Sequence, residues 1–490
     1  METSCLIQEP RKKQKLNVED EDINGNVKCL ADLPEEILRH ILSFLPTKDA
    51  VRTSVLSKRW KYLWASIPIL DFNPTYFGCP IVSKSQSIPF RDFVEAIKKD
   101  QSNIRSNRRN NRRLLMNFVE RVLCLRESYA IKRFALSFDV LRDAARVKTW
   151  ISAVVRHNVH ELDINLYNLK GEFSLPCVLF TCKTLTSLNL NVPCILELPK
   201  TVWFSNLKNL TINSVTFSDD YLTHNFFSGL SVLEKLSLTD CSWGALKVVR
   251  LYAPKLHSLS IWDCKEPDSS YGDGCQIMIF AVQLKEFDYF GELFSAYCLN
   301  NSFSLEKAEI EVLPHNKSAQ IAHRMYKLLI GVSNVKLLAL SCNVLEVLEN
   351  AEERLLHMPV FNNLTDLIFS DGEWPVALDC VLWRILQKSP CLETVKFWKG
   401  IKLWENDDWK LEPVPPCFLS HLKWIEVDDY EGDREELSAL KILLKNAVVL
   451  NEIVIFCSEH LRGNLEKQEN LYKQVIEIPK GSQNCKIVLK

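Results

Sequence analysis

Thirteen short stretches of one pattern, spread over the last three quarters of the chain, constrain its fold more than any other feature. They are "IKRFAL" at 131, "VHELDI" at 159, "LTSLNL" at 185, "LKNLTI" at 207, "LEKLSL" at 233, "LHSLSI" at 256 and "LKEFDY" at 284, then "LEKAEI" at 305, "VKLLAL" at 335, "LTDLIF" at 364, "LETVKF" at 392, "LKWIEV" at 422 and "LNEIVI" at 450. Their starts lie 21 to 30 residues apart. With the first residue of each counted as position 1, positions 4 and 6 are apolar in all thirteen. Position 5 is mostly polar, as in Asn189, Thr211, Ser237, Ser260, Asp288 and Glu426. Such alternation belongs to a strand with one face buried. One strand and its return segment cannot bury that face alone, so the units must stack. The expected fold is α/β: a solenoid with a curved parallel sheet and helices or extended segments on its convex side.

The spacing is that of leucine-rich repeats. Position 9 supplies Cys241, Cys264 and Asn343, residue types that resemble the Asn/Cys ladder closing the turn after each repeat strand. Both cysteines therefore read as structural rather than reactive. A repeat solenoid is a surface, which implies binding rather than chemistry. Position 7 also points to the concave side, and most residues there are polar: Ser137, Asn165, Asn191, Asn213, Thr239, Glu311, Ser341, Ser370 and Asp428. The exceptions are Trp262, Phe290, Trp398 and Phe456, the candidate partner-binding residues. Trp262 and Phe290 belong to adjacent repeats and should sit side by side, where aromatics act as interface anchors. Two readings stand for that pair: part of a partner-binding patch, or a local core beneath a loop such as "KEPDSSYGDGC" (265–275).

Ahead of the repeats, Asp32 to Pro46 reads as a short helix with start and stop signals. Asp32 is a good N-cap with Glu35 three residues on, and Pro34 falls in the first turn, where its missing donor costs nothing. Ile37, Leu38, Ile41, Leu42 and Leu45 follow at the spacing of one helical face. Pro46 stops the helix, Thr47 can cap a second through Leu56, and Ser57 a third carrying Trp60, Leu63 and Trp64. Three helices in about forty residues form too small a unit to bury so much apolar surface alone. The unit needs a partner.

The stretch "LPEEILRHILSFLPTKDAVRTSVLSKRWKYLW" (33–64) closely resembles the F-box of plant F-box proteins, and 415–456 looks like the FBD region that follows leucine-rich repeats in one large plant subfamily. The resemblance implies a non-catalytic substrate-recognition subunit of an SCF-type ubiquitin ligase. Its F-box would dock on a Skp-type adaptor, and through it on cullin and RING proteins, while the repeats hold an unknown substrate protein. Carried over by motif position, Leu33, Pro34, Ile37, Leu38, Ile41, Leu42, Leu45, Pro46, Val51, Leu56, Trp60 and Trp64 form or support the adaptor surface, some of them as the module's own core. The alternative is a ligase-independent protein-interaction scaffold. The implied organisation is a charged disordered tail (1–28), F-box (29–72), a linker with an Arg/Asn-rich insertion (73–113), repeats (114–400) and an FBD region continuing them (401–485). One departure from the family pattern is the pair "FVEAI" (93–97) and "FVERV" (118–122), two versions of one family segment.

Charge and motifs exclude other classes. Lys plus Arg (60) nearly cancels Asp plus Glu (61), so no global field favours nucleic acid or membrane. Arg11, Lys12, Lys13 and Lys15 read equally as a nuclear import signal or a solvated basic run. The expected location is nucleus or cytoplasm, since neither a secretory signal nor a run of roughly 18 apolar residues occurs. "RSNRRNNRR" (105–113) lacks the interleaved aromatics of a nucleic-acid arm and reads as solvated. Seventeen scattered cysteines without a C-x-x-C pair suggest reduced, buried thiols. No nucleotide loop, H-E-x-x-H or G-x-S-x-G is present, and His315, His323 and His357 lack a ligand constellation. The acidic run 427–436 reads as a solvated loop rather than a calcium site. No cofactor or metal is expected.

Overall fold

The structure of the protein, a computed structural model, describes residues 33–73, 111–126, 130–169, 171–264, 274–313, 318–349, 357–370, 375–403, 412–459, 461 and 465–490. Among these, fifteen strands form one all-parallel sheet, ordered along the chain from Ile69–Phe72 to Lys486–Leu489. The thirteen strands expected from the repeats are its central members, Arg133–Asp139 through Glu452–Cys457. Register follows the repeat: the position-4 residues Leu188, Leu210, Leu236, Leu259, Phe287 and Ala308 stand opposite one another in succession, and all are buried. A one-residue slip would turn that row to solvent, so the apolar ladder itself fixes the pairing.

What closes the other side differs between repeats. In the first, the helix Ala144–Arg156 buries Val147, Trp150, Ile151 and Val154, one face at helical spacing, with Trp150 edge-on to Phe138 at 5.2 Å. In the middle repeats, strands Val248–Tyr252, Gln276–Phe280 and Ala296–Asn300 form a second parallel sheet instead. Helices return at Ala319–Gly331, Cys380–Gln387 and Arg434–Asn446, each begun by a side-chain cap from Ser318, Asp379 or Asp433. The architecture is that of a leucine-rich-repeat solenoid preceded by a helical module.

The helical module is not a separate bead. Its last segment is the first strand of the sheet, with Leu70 opposite Phe134 and Phe72 opposite Leu136. Thr47 is buried and its hydroxyl accepts the backbone N–H of Asp71 at 2.7 Å, so it ties the module to the sheet rather than capping a helix. A helix over 111–125 packs at the same end, Phe118 meeting Phe72 at 5.8 Å. It contains "FVERV"; "FVEAI" lies outside the described residues.

Several local expectations change. The first helix is Glu35–Ser43 with Pro34 at its N-cap, and Glu35 pairs with Arg39 at 2.6 Å instead of reaching back; Asp32 lies outside the described residues. After the helix Thr47–Arg52 come two 3-10 turns, Thr53–Val55 and Leu63–Ser66, in place of a third α-helix. Arg112 is not solvated: it donates to the carbonyls of Asp139 (2.7 Å) and Val140 (2.9 Å), pairs with Asp143 and lies over the Phe138 ring, sealing the end of the first repeat strand. The acidic run 427–436 is a strand end and a capped helix start rather than a solvated loop. Asp433 and Glu436 form a capping box, and the backbone N–H groups of Glu431, Gly432 and Asp433 all donate to Glu436 Oε2.

Candidate protein-interaction surfaces

Sorting the helical module by exposure divides its apolar residues into a core and a face. Leu38, Leu42, Trp60 and Trp64 are buried inside it, together with Ala50 and Leu63. Leu33, Ile41, Pro46 and Val51 are partly buried, whereas Pro34, Ile37, Leu45 and Leu56 are exposed. Of the module's four most exposed apolar side chains, the sequence points to Leu56 (64%) but not to Val55 (87%), Phe44 (74%) or Tyr62 (62%). Phe44 was legible, because it lies three residues beyond Ile41 on the helix. Val55 was not, because it sits on a 3-10 turn where helical spacing fails. Burying Phe44, Val55, Leu56, Ile37 and Leu45 in a partner would contribute at most about 1.5 to 3 kcal/mol each, of the same order as association costs of about 4 to 15 kcal/mol. Arg11, Lys12, Lys13 and Lys15 lie outside the described residues.

On the sheet, position 7 is polar through the first repeats, and its side chains bond along the face. Asn191 donates to Asn165 at 3.1 Å, and at position 5 Asn189 donates to Asp163 at 3.1 Å. The polarity is interrupted where Trp262 stands opposite Phe290, their ring centroids 4.9 Å apart. Trp262 is 48% exposed, so the pair offers apolar area to solvent. Of the loop 265–275, only residues 274 and 275 fall among the described residues. Behind the pair, the next residues are Asp263 and Gly291, also opposite one another. Gly291 has φ 152°, and a Cβ there would meet the Asp263 carbonyl at 2.3 Å. Only glycine lets the two strands close so tightly beneath the aromatics. Ser341 and Ser370, expected on the open face, are buried. The Ser341 hydroxyl accepts the Val312 N–H at 3.0 Å, as the chain turns at once into the helix Cys342–Glu349.

The other two aromatics lie together further along. Trp398, Asp428 and Phe456 line a cleft of about 510 Å³ with Lys399, Glu426, Asp429, Cys457 and Glu459. The strand Trp424–Tyr430 bulges at its wall: Val427 pairs with Ile455 and Tyr430 with Cys457, leaving Asp428 and Asp429 both opposite Phe456. Asp429 takes φ 56°, a left-handed conformation aspartate tolerates. Burial, with Glu426 and Asp429 nearby, holds the Asp428 carboxyl above the ordinary range against the pull of Lys396.

The position-9 residues act as closures. Asn343 donates to the Val312 carbonyl at 2.8 Å and Cys241 Sγ approaches the Ile212 carbonyl at 3.5 Å, each sealing the end of the preceding strand. Burial pushes the Cys241 thiol up to about 12 and that of Cys264 up to about 11, so neither is a thiolate nucleophile at neutral pH. Among the described residues no group of three or more His, Cys, Asp or Glu is placed to hold a metal ion, and no helix is long and apolar enough to cross a membrane.

Three family models match segments of the chain: the F-box domain at residues 30–72, "FBD-associated F-box protein At5g56370, LRR repeats" at 147–274, and FBD at 410–455. Among curated relatives, the F-box/LRR-repeat protein At4g14103 of Arabidopsis thaliana is 30% identical over 77% of this chain and 93% of its own length. The F-box/FBD/LRR-repeat protein At5g56420 of the same plant is 28% identical over 94% of this chain and 98% of its own.

Proposed function

Because the chain belongs to the plant F-box/FBD/leucine-rich-repeat family, we propose that it is a non-catalytic subunit of an SCF-type ubiquitin ligase, docking on a Skp-type adaptor through the helical module and presenting a substrate protein on the sheet. The observation that carries the reading is the apolar face of the module, with Val55 and Phe44 its most exposed side chains, continuous with the repeat sheet through the strand Ile69–Phe72. A module joined through a strand has little freedom to swing. A substrate held on the sheet is thereby kept at a fixed offset from whatever docks on the module, which raises its effective concentration near a conjugating enzyme. The work of such a protein is positional. Tagged protein recovered from plant cells is expected to carry a Skp-type adaptor and a cullin. Recovery of adaptor without cullin would overturn the ligase reading, and recovery of neither would overturn the docking assignment.

Substrate capture is assigned to the exposed aromatics of the sheet. The double change Trp262→Ala, Phe290→Ala is expected to weaken capture by about 2 kcal/mol or more, roughly thirtyfold, with the melting temperature unchanged. A fall in melting temperature with capture intact would assign the pair to the local core instead.

A further inference from the structure

Beyond the general assignment of substrate to the sheet, on which this inference rests, we propose that the cleft between Trp398 and Phe456 is a recognition site for a lysine or arginine side chain in a basic segment of the bound protein. Four carboxylates, Glu426, Asp428, Asp429 and Glu459, line it against one lysine, Lys399. Two of the four are already neutralised: Lys396 pairs with Glu426 at 3.2 Å and Lys399 with Asp429 at 3.7 Å. Asp428 and Glu459 have no ion-pair partner among the described residues, and Asp428 Oδ1 is buried with no hydrogen bond. A carboxylate oxygen removed from water and left without a donor is costly, and a cation delivered to it recovers that cost.

The aromatic walls point to the same ligand. Trp398 is 45% exposed and lines the cleft with Asp428, so an entering cation finds an indole and a carboxylate on the same walls. Phe456 already accepts one cation: Lys490, beyond Leu489, holds its Nζ 5.1 Å from the ring centroid. Indole is the stronger cation acceptor of the two rings. No described cation is placed over Trp398. An anionic ligand such as a phosphopeptide or nucleic acid would meet the carboxylates and be repelled, and an apolar side chain would leave Asp428 unpaired. The bulge adds to the charge, because it sets Asp429 as well as Asp428 opposite Phe456 on the same wall.

The test uses the full chain and three fluorescent Gly/Ser peptides that differ only in a central Arg-Arg, Gln-Gln or Glu-Glu pair. Anisotropy is expected to show the arginine peptide bound at least about tenfold tighter than the glutamine peptide, with the glutamate peptide weakest. Asp428→Asn, which keeps shape and removes charge, should cut that preference about fivefold or more. Trp398→Ala should do the same, and Trp262→Ala should leave it unchanged. Equal binding of the three peptides, or a preference that survives Asp428→Asn, overturns the proposal. Adaptor recovery is measured on the same preparations. A failed peptide preference with adaptor still bound sinks this site alone, whereas loss of adaptor from the wild type sinks the ligase reading without touching the peptide result.

Discussion

Replacing Phe44 and Val55 together by glutamate is expected to abolish adaptor recovery while leaving the protein folded. Both side chains are mostly in solvent, so the charged replacements cost the free protein little; surface changes away from caps and cores usually stay within about 0.5 kcal/mol. In a complex they would be central, desolvated anchors, each worth about 2 kcal/mol or more, and burying an unpaired carboxylate adds to the loss. A combined loss of about 4 kcal/mol is roughly a thousandfold in affinity. The matched control is Leu42→Ala. Leu42 is fully buried in the module, and its truncation should cost about 2 to 5 kcal/mol of stability through the cavity left behind. The two variants separate face from core: one loses the partner at constant melting temperature, the other loses melting temperature first. If the glutamate pair still recovers the adaptor, the exposed apolar side chains are not the docking surface. Trp60 and Trp64 follow Leu42 rather than Phe44, since both are buried.

Much of this was legible because the repeat pattern is a burial pattern. The residues at positions 4 and 6 had to be inside, and the register of the sheet follows from them. The first strand could have been found the same way: Ile67, Leu70 and Phe72 occupy positions 1, 4 and 6 of the same template, and Leu70 and Phe72 pair with Phe134 and Leu136. It was hidden by its place at the end of a motif that reads as helical. The last strand, Lys486–Leu489, was not legible, because Asn484 stands where the template needs an apolar residue. Nor was the cleft. Trp398 and Phe456 were visible as interruptions of a polar row, but nothing in "VDDY" says that Asp428 and Asp429 will oppose a single residue. A bulge is a property of two strands, and sequence reads one at a time. Arg112 failed for the same reason, since its partners Asp139, Val140 and Asp143 are 27 to 31 residues away.

Lowering the pH from about 7.5 to 5 is expected to stabilise the protein, and Asp263→Asn is expected to remove part of that gain. Asp263 ends the strand beneath Trp262 and is buried, its Oδ2 accepting a hydrogen bond from the Tyr297 hydroxyl at 3.2 Å. Burial pushes its carboxyl up to about 7; Asp240 and Glu292 push the same way, while the Tyr297 hydrogen bond and Arg324 oppose. An acid whose folded pKa lies above its unfolded value of about 3.8 binds its proton more tightly when folded. Its contribution is therefore complete below the unfolded pKa and is lost as pH rises through about 7. The shift corresponds to about 4 kcal/mol at most, and the window from 5 to 7.5 spans a large part of it. Asparagine keeps an acceptor for Tyr297 and has no proton to release, so urea unfolding of the variant should vary less with pH. Asp379, which caps the helix Cys380–Gln387 beside Glu349, and Glu436, in the capping box with Asp433, are also pushed up to about 7 by burial and act in the same direction, so some dependence persists. A wild type no more stable at pH 5 than at 7.5, or a variant with the same dependence as the wild type, would show that Asp263 is ionised at no cost.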